Sequence, residues 1–314
     1  MTNIREPVSI LLPVKNGEQY LKRSIQNLIN LTGSNDEVLV INDFSSDNTS
    51  NLLDKMQSKW ANLRVINNYK PGLVNALNFG INEAKHNYIA RADVDDCYES
   101  DRISKQMLAF KENTVAVFSD YRFRTTSGIS LGTIPSPVFA EAVVASLIRS
   151  QRTAHPSVLF LKDAVIDAGG YKESDFPAED LSLWLRLARL GDLTSVPEIL
   201  LNYTLNPIGV TSSKRTAMLK KKRVLLDEIG LPKNSLISLE NNAMELFLKY
   251  KEVKDRDDRQ LLFITDLIEI SRTYPDYLNL RKTGPLLLAE ISKIGLFKST
   301  IKFGFGKIAR NILR

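Results

Sequence analysis

Three carboxylates stand within four residues at the end of an apolar run, in the stretch Tyr88-Ile89-Ala90-Arg91-Ala92-Asp93-Val94-Asp95-Asp96. Asp93 and Asp95 are one residue apart, so at the end of an extended strand their side chains would point to the same side. Two such carboxylates repel each other unless a cation lies between them, and Mg²⁺ and Mn²⁺ prefer oxygen ligands. The spacing is therefore typical of a divalent metal site. An acidic turn that caps a helix starting near Glu99 explains the same spacing equally well.

Alternating strand and helix patterns precede the acidic stretch and must position it. Buried strands are predicted at residues 8–14, 37–41, 63–66 and 88–92, with amphipathic helices at 18–30, 49–59 and 71–84 between them. This alternation predicts βαβ units and a parallel sheet, in which ligands bind at the carboxyl ends of the strands. The segments 13–16, 42–43 and 93–96 should meet there. None of them carries a dinucleotide fingerprint or a P-loop, so a bound nucleotide would need a metal on Asp93 and Asp95 to neutralise its phosphates.

The remainder of the chain changes character near residue 210. Before that point the patterns predict helices at 101–111, 137–149 and 181–188, strands at 115–118, 158–161 and 196–203, and a hairpin or loop at 121–133. Beyond it only helical patterns occur, at 214–228, 235–251, 257–273 and 285–294. We expect an α/β domain over residues 1–210 and a helical region over 211–314 that associates with a membrane or a partner.

Composition is that of a folded, water-exposed protein with a basic C-terminal part. The 314 residues are 43% hydrophobic and 25% charged, Cys97 is the single cysteine, and no apolar run approaches the ~20 residues of a membrane span. With no signal-peptide pattern at Met1 and no disulfide to form, a cytoplasmic location is expected. The net charge is +6, and bases cluster at 214–223 and after Glu290.

The basic tail leaves two interpretations open. Residues 294–314 mix Phe, Ile and Leu with bases alone, which fits an interfacial helix on an anionic leaflet at the inner face of the cytoplasmic membrane. A terminal helix packed on the helical region with solvated lysines explains the pattern equally well. Nucleic acid is not an expected partner, because aromatic residues do not alternate with the bases as stacking platforms.

Six segments, in order, resemble the family-2 nucleotide-sugar glycosyltransferases of the GT-A fold. Residues 8–16 resemble the opening strand V-S-V-I-I-P-x-Y-N, residues 41–49 resemble V-D-D-G-S-x-D-x-T, and residues 89–96 resemble I-A-R-M-D-A-D-D with its D-x-D motif. His155-Pro156-Ser157, Gly169-Gly170-Tyr171, and Ala178-Glu179-Asp180 followed by Leu183-Trp184-Leu185-Arg186 resemble the acceptor-side segments. The resemblance covers residues 8 to about 204 and implies a Rossmann-like, mostly parallel sheet flanked by helices, with a helical C-terminal appendage.

The resemblance implies a role for each matching residue. Asp43 would bind the nucleobase in a pocket lined by Pro13 and Val14, while Asn16 and Arg91 would also contact the nucleotide sugar. Asp93 would face the ribose or donor sugar, and Asp95, assisted by Asp93, would hold Mn²⁺ or Mg²⁺ on the diphosphate. On the acceptor side, Asp180 would be the general base, with Gly170, Tyr171 and Glu179 beside it. His155 and Trp184 are expected to be structural, and Asp96 to cap a helix.

The implied reaction is a single displacement at the anomeric carbon of a nucleotide sugar. The leaving diphosphate needs a Lewis acid and the attacking hydroxyl needs a base, which the carboxylates supply. No second carboxylate nucleophile is evident, so inversion is expected. The expected donor is a UDP-sugar, and the acceptor would be a saccharide or a lipid-linked sugar. The product would be a cell-surface polysaccharide or glycolipid. The Q-x-x-R-W motif of processive synthases is absent, which favours one sugar per encounter.

Two departures from the family pattern keep other functions open. Asn42 stands in place of the first aspartate of V-D-D, and Asn206 in place of the histidine of Y-R-x-H, which can complete the metal shell. A degenerate domain acting as a non-catalytic scaffold is one alternative. A sugar-nucleotide nucleotidyltransferase is another, although residues 13–17 are a poor match to the Gly-rich, basic loop that such an enzyme needs.

Overall fold

A nine-stranded sheet flanked by helices forms the framework of the protein, as seen in a computed structural model that describes residues 5–206, 209, 213–229, 242–243, 245–246, 248–253 and 256–273. The strands in chain order are β1 Val8–Val14, β2 Glu37–Asn42, β3 Leu63–Asn67, β4 Tyr88–Arg91, β5 Cys97–Tyr98, β6 Thr114–Thr125, β7 Ser130–Ile134, β8 Leu159–Leu161 and β9 Asp192–Leu205. The helices are α1 Glu18–Ile29, α2 Thr49–Gln57, α3 Leu73–Glu83, α4 Arg102–Leu108, α5 Ala140–Arg149, α6 Lys162–Asp167, α7 Glu179–Leu187, α8 Arg215–Ile229 and α9 Arg256–Thr273.

The first half of the sheet is parallel, as the apolar runs predict. Its order is β3-β2-β1-β4, and every residue of β1 and β2 is buried. Strands buried on both faces need helices on both sides, which α1, α2 and α3 provide. Helix α3 lies so close to β1 that a Cβ on Gly80 would be 2.3 Å from Leu11 Cδ1. This arrangement places the carboxyl ends of β1, β2 and β4 side by side.

The second half of the sheet is mixed and longer-stranded than the sequence patterns predict. The order continues β8-β6-β9-β5, with β8 antiparallel to β4 and β6, β9 parallel to β6, and β7 forming the predicted hairpin with β6. Pairing between β6 and β9 skips two residues of β9 between Val196 and Ile199. Pro197 lies in this bulge, where a residue without an N–H costs no ladder hydrogen bond.

The main core cluster runs from the sheet into the C-terminal helices. Trp184 is fully buried, as expected, and packs edge-to-face against Phe118. The same cluster includes Leu226 of α8 and, from α9, Phe263, Ile264, Leu267 and Ile270. A buried ion pair joins Arg259 of α9 to Asp120 of β6. The domain boundary near residue 210 stays a prediction, but side chains from both sides of it share this core.

Some sequence predictions lie outside the described residues. These are the helix at 285–294, the basic tail and most of the helix at 235–251. Among the described residues, no helix has both the length and the apolar character needed to cross a bilayer.

Candidate functional site

The loops after β1 and β2 are tied together by one asparagine. Asn16 lies in the left-handed region with φ of 52°, and its Oδ1 accepts a hydrogen bond from the backbone N–H of Ser46 at 2.7 Å. Its own N–H donates to Ser45 Oγ at 3.0 Å. Asn16 thus lies at the predicted ligand edge, and its side chain fixes the shape of that edge.

Asp43 is buried at the end of β2 and is held by neighbouring donors. Its Oδ1 accepts from Asn68 Nδ2 at 2.8 Å and from the N–H of Gly72 at 3.0 Å. The N–H of Asp43 donates to the carbonyl of Val14. Val14 is 2% exposed, and the adjacent Pro13 is also buried. The three residues predicted to form a nucleobase pocket therefore lie together. Asn42, by contrast, donates to Ser50 and Asn67.

The acidic stretch forms a turn after β4, which ends at Arg91 rather than continuing through residue 92. Asp93, Asp95 and Asp96 each offer an oxygen, and these oxygens lie within 4.8 Å of one another. Arg91 is buried and forms an ion pair with Asp93. The N–H of Asp93 donates to Tyr98 Oη at 2.8 Å, which fixes the turn from below.

The expectation that Asp96 caps a helix is wrong. Helix α4 begins at Arg102, after Asp101, whereas Asp96 is 2% exposed and its Oδ1 accepts from the N–H of Thr204 in β9 at 2.7 Å. The hydroxyl of Thr204 donates to the carbonyl of Asp95 at 2.7 Å. Strand β9 therefore clamps the acidic turn, and the third carboxylate faces the other two.

The carboxylate oxygens of this turn fit a divalent cation as metal ligands. Burial and the charge of Asp93 raise the pKa of Asp95, and burial together with Asp93 and Asp95 raises the pKa of Asp96 well above its usual range. The buried Oδ2 of Asp96 has no hydrogen-bond partner among the described residues. Clustered, partly desolvated carboxylate oxygens are the ligands that Mg²⁺ and Mn²⁺ prefer.

Asn206 reaches the same turn from the end of β9. Its Nδ2 donates to Asp95 Oδ2 at 3.1 Å. Since the two ends of an amide exchange by rotation about one bond, the same side chain can present its oxygen to a cation at this position. Asn206, which stands at the histidine of the Y-R-x-H pattern, therefore lies beside Asp95.

The Glu179-Asp180 pair opens α7 on the other side of the site. Asp180 is partly exposed, and its Oδ2 accepts from Gln151 Nε2 at 3.1 Å. Burial raises its pKa, while the charges of Arg91 and Lys222 act against this. Glu179 is 4% exposed, and burial together with Asp180 raises its pKa to about 7. Arg91 thus acts on both the acidic turn and this pair.

Gly170 and Tyr171 form the wall next to α7. Gly170 has φ of +64°, and a Cβ there would lie 2.8 Å from Asn78 Oδ1, so this close approach requires glycine. Tyr171 is buried, and its hydroxyl lies 2.8 Å from His155 Nε2. Burial and the charge of Arg91 lower the pKa of His155 well below its usual range, so the ring is neutral and its expected structural role fits these contacts.

Three site residues escaped the sequence analysis. Gln151 and Lys222 approach Asp180, and Thr204 holds the acidic turn. Gln151 follows Ser150 at the end of α5 and has φ of 48°, so the end of the predicted helix is the weak signal for this residue. Lys222 lay within a basic cluster and had no feature that distinguished it from its neighbours.

Known proteins resemble this chain in sequence and in fold. Residues 9–156 match the family model described as Glycosyl transferase family 2. This segment of the chain is therefore similar to glycosyl transferase family 2. The protein is a glycosyltransferase, and the matched segment runs from Ser9 in β1 to a point beyond α5, with Asp43 and all three carboxylates of the acidic turn.

Two relatives of this glycosyltransferase differ in how much of their length it covers. It is 28% identical to an uncharacterized glycosyltransferase of Haemophilus influenzae, over 92% of this chain and 98% of that protein. It is 30% identical to the poly-beta-1,6-N-acetyl-D-glucosamine synthase of Staphylococcus aureus, over 59% of this chain. The alignment spans 47% of that synthase, so about half of the synthase lies outside the alignment.

A solved structure confirms the fold. The mannosyltransferase of Pyrobaculum calidifontis in complex with GDP-Man and Mn²⁺ superposes with a TM-score of 0.59 over 99% of this chain and 86% of that one. Sequence identity is 14%, so this similarity supports the GT-A architecture alone. The predicted fold class is therefore correct.

Proposed function

We propose that the protein is an inverting, metal-dependent glycosyltransferase. It moves one sugar from a nucleotide sugar, with a UDP-sugar as the proposed donor, to an acceptor hydroxyl. The observation that carries this proposal is that two carboxylate groups lie close to the buried Arg91. Asp93, in the acidic turn with Asp95 and Asp96, forms an ion pair with Arg91, and the charge of Arg91 also acts on Glu179 and Asp180. The first group would serve the donor leaving group, and the second the acceptor hydroxyl.

The donor half of the site is formed by the ends of β1, β2 and β4. Asp43 is proposed to bind the nucleobase through the acceptor capacity that remains on Oδ2, because the bond from Asn68 and the shorter bond from Gly72 both fall on Oδ1. Pro13, Val14 and Asn16 shape this pocket, and Arg91 and Asp93 face the donor sugar.

Asp95 is proposed to hold Mn²⁺ or Mg²⁺, with Asp93, Asp96 and the amide oxygen of Asn206 available beside it. When bound, the cation supplies Lewis-acid stabilisation of the charge that develops on the departing diphosphate. The Mn²⁺ in the Pyrobaculum calidifontis structure supports this assignment.

On the acceptor half, Asp180 is proposed to take the proton from the attacking hydroxyl. The acceptor oxygen forms a bond to the anomeric carbon as the bond from that carbon to the diphosphate oxygen breaks, and the proton goes to Asp180 Oδ2. One displacement inverts the anomeric centre. Gly170, Tyr171 and Glu179 surround the acceptor. The Staphylococcus aureus relative, named for a polysaccharide product, supports a saccharide acceptor in cell-surface polysaccharide or glycolipid synthesis.

Membrane association through the basic tail is part of the proposal, with the enzyme on the cytoplasmic side. Flotation with anionic liposomes, with and without residues 295–314, tests it. Loss of flotation on truncation supports an interfacial tail, and equal flotation of both forms contradicts one.

The catalytic proposal is tested by a thermal-shift panel followed by a turnover assay. UDP-, GDP-, dTDP- and CMP-sugars are compared with and without Mn²⁺, and one of them should stabilise the protein in the presence of metal. Asp180→Asn should keep that stabilisation and lose release of the nucleoside diphosphate, whereas Asp167→Asn, in the nearby helix α6, should retain both. Full turnover in Asp180→Asn refutes its role as base, and no shift with any nucleotide favours a non-catalytic scaffold.

A further inference from the structure

Helix α8 lies beyond the segment that the family model matches, yet it packs against α7, which carries Glu179 and Asp180. Leu225 and Leu226 of α8 are buried, which fixes the rotation of the helix. Lys222 lies on the same side, partly buried, and its Nζ donates to the carbonyl of Arg149 at 3.2 Å. That carbonyl ends α5, two residues before Gln151, whose side chain binds Asp180.

The carboxylates near Lys222 differ in what else balances them. Asp266 of α9 forms an ion pair with Arg152 at 2.7 Å and accepts from Ser150 Oγ at 3.1 Å. Asp180 accepts from neutral groups, the Gln151 amide and the N–H of Leu181. Asp180 therefore depends on charge from a distance.

Two cations act on Asp180, and one of them is committed elsewhere. Arg91 forms its ion pair with Asp93 in the acidic turn. Lys222 donates a hydrogen bond to the carbonyl of Arg149, and its charge interacts with Asp180 and Asp266. The ammonium of Lys222 is therefore the cation left to balance the negative charge of Asp180, the carboxylate proposed as base.

We infer that Lys222 is a positioning residue for Asp180, keeping that carboxylate ionised and turned toward the acceptor side together with Gln151. The inference rests on the proposed role of Asp180 as base. Through Lys222, α8 would contribute a functional residue to the acceptor side of the site.

The groups around this pair set the pH range in which it works. Asp180 is faced by Glu179 of α7, Tyr171 of the preceding segment, Arg91 of β4 and Lys222 of α8. Burial lowers the pKa of Lys222 to about 8, while Asp180 and Asp266 act in the opposite direction and Arg149 adds to the lowering. Lys222 is charged at neutral pH and loses its charge above about pH 8, so its support of Asp180 fades there.

The direct test is a carbon-13 NMR titration of the aspartate carboxyl carbons, with the Asp180 resonance assigned by Asp180→Asn. Lys222→Met should raise the pKa of Asp180 by about one pH unit, as expected for loss of a nearby opposite charge. Lys222→Arg should leave it near the wild-type value. Lys220→Met, an exposed lysine on the same helix, is the matched control. An unchanged pKa of Asp180 in Lys222→Met overturns the inference.

A second readout separates positioning from folding. With UDP-GlcNAc as donor, or the nucleotide sugar that the panel selects, the decline in turnover above about pH 8 should move to higher pH in Lys222→Arg. Donor binding should stay unchanged in both Lys222 variants. If Asp180→Asn is inactive and Lys222→Met shows wild-type turnover at every pH, this inference fails while the proposed function stands. If Asp180→Asn is fully active, the proposed function fails first.

Discussion

Replacing the carboxyl of Glu179 by an amide should stabilise the protein at alkaline pH and change little at acidic pH. Glu179 is 4% exposed, and its Oε2 has no hydrogen-bond partner among the described residues. Burial and the neighbouring Asp180 raise its pKa to about 7. A carboxyl with a raised pKa in the folded state stabilises that state below its unfolded pKa, and this contribution is lost as pH rises through the folded value.

The magnitude follows from the two pKa values. The ordinary value is 4.5 and the folded value is about 7, and at 1.36 kcal/mol per pKa unit this gives about 3 kcal/mol against folding once Glu179 is ionised. For a protein of this size, that free energy corresponds to roughly 6 °C in Tm. Glu179→Gln removes the penalty because an amide does not ionise.

Thermal melts of wild type and Glu179→Gln at about pH 4 and about pH 8.5 measure this effect. The variant should melt higher at the alkaline pH, with the two curves converging at the acidic pH. Glu173→Gln is the matched control, because Glu173 is exposed and forms an ion pair with Lys70, so its loss should bring no alkaline stabilisation. An equal difference at both pH values, or a variant that is less stable at alkaline pH, would refute the reasoning.

Two further substitutions test the supports of the site. Arg259→Met removes the guanidinium that pairs with the buried Asp120, and we expect a loss of about 3–5 kcal/mol in the free energy of unfolding by urea, with much of it recovered in Asp120→Leu/Arg259→Met. A loss below about 1 kcal/mol would show that α9 is not anchored by this pair. Tyr98→Phe removes the acceptor for the N–H of Asp93, and should lower stability by about 1–3 kcal/mol. An unchanged urea midpoint in Tyr98→Phe would mean that another group satisfies this N–H.

Local sequence patterns were sufficient for the parallel half of the fold. Strand β1 is an uninterrupted apolar run buried on both faces, and α1 has one apolar face. Each pattern is formed by residues within one element, so it survives without knowledge of the rest of the chain. The same holds for Asp93 and Asp95, whose grouping needs only the end of one strand.

Contacts between distant parts of the chain account for what the sequence did not predict. Asp96 was assigned to a helix cap because its partner, the N–H of Thr204, lies 108 residues away. Strand β9 was predicted too short because Pro197 interrupts its pattern, whereas a bulge accommodates the proline. The charge of Lys222 acts on Asp180 because α8 packs on α7.

Calorimetric titration with UDP, or the nucleoside diphosphate that the panel selects, tests most directly whether the acidic turn holds a metal-bound donor. We predict binding in the presence of Mn²⁺, loss of that binding when the metal is chelated, and loss of it in Asp95→Ala. Asp101→Ala, which removes an aspartate paired with Lys105 at the start of α4, should bind as wild type does. Equal affinity in Asp95→Ala and wild type, or binding that persists without metal, would contradict the account.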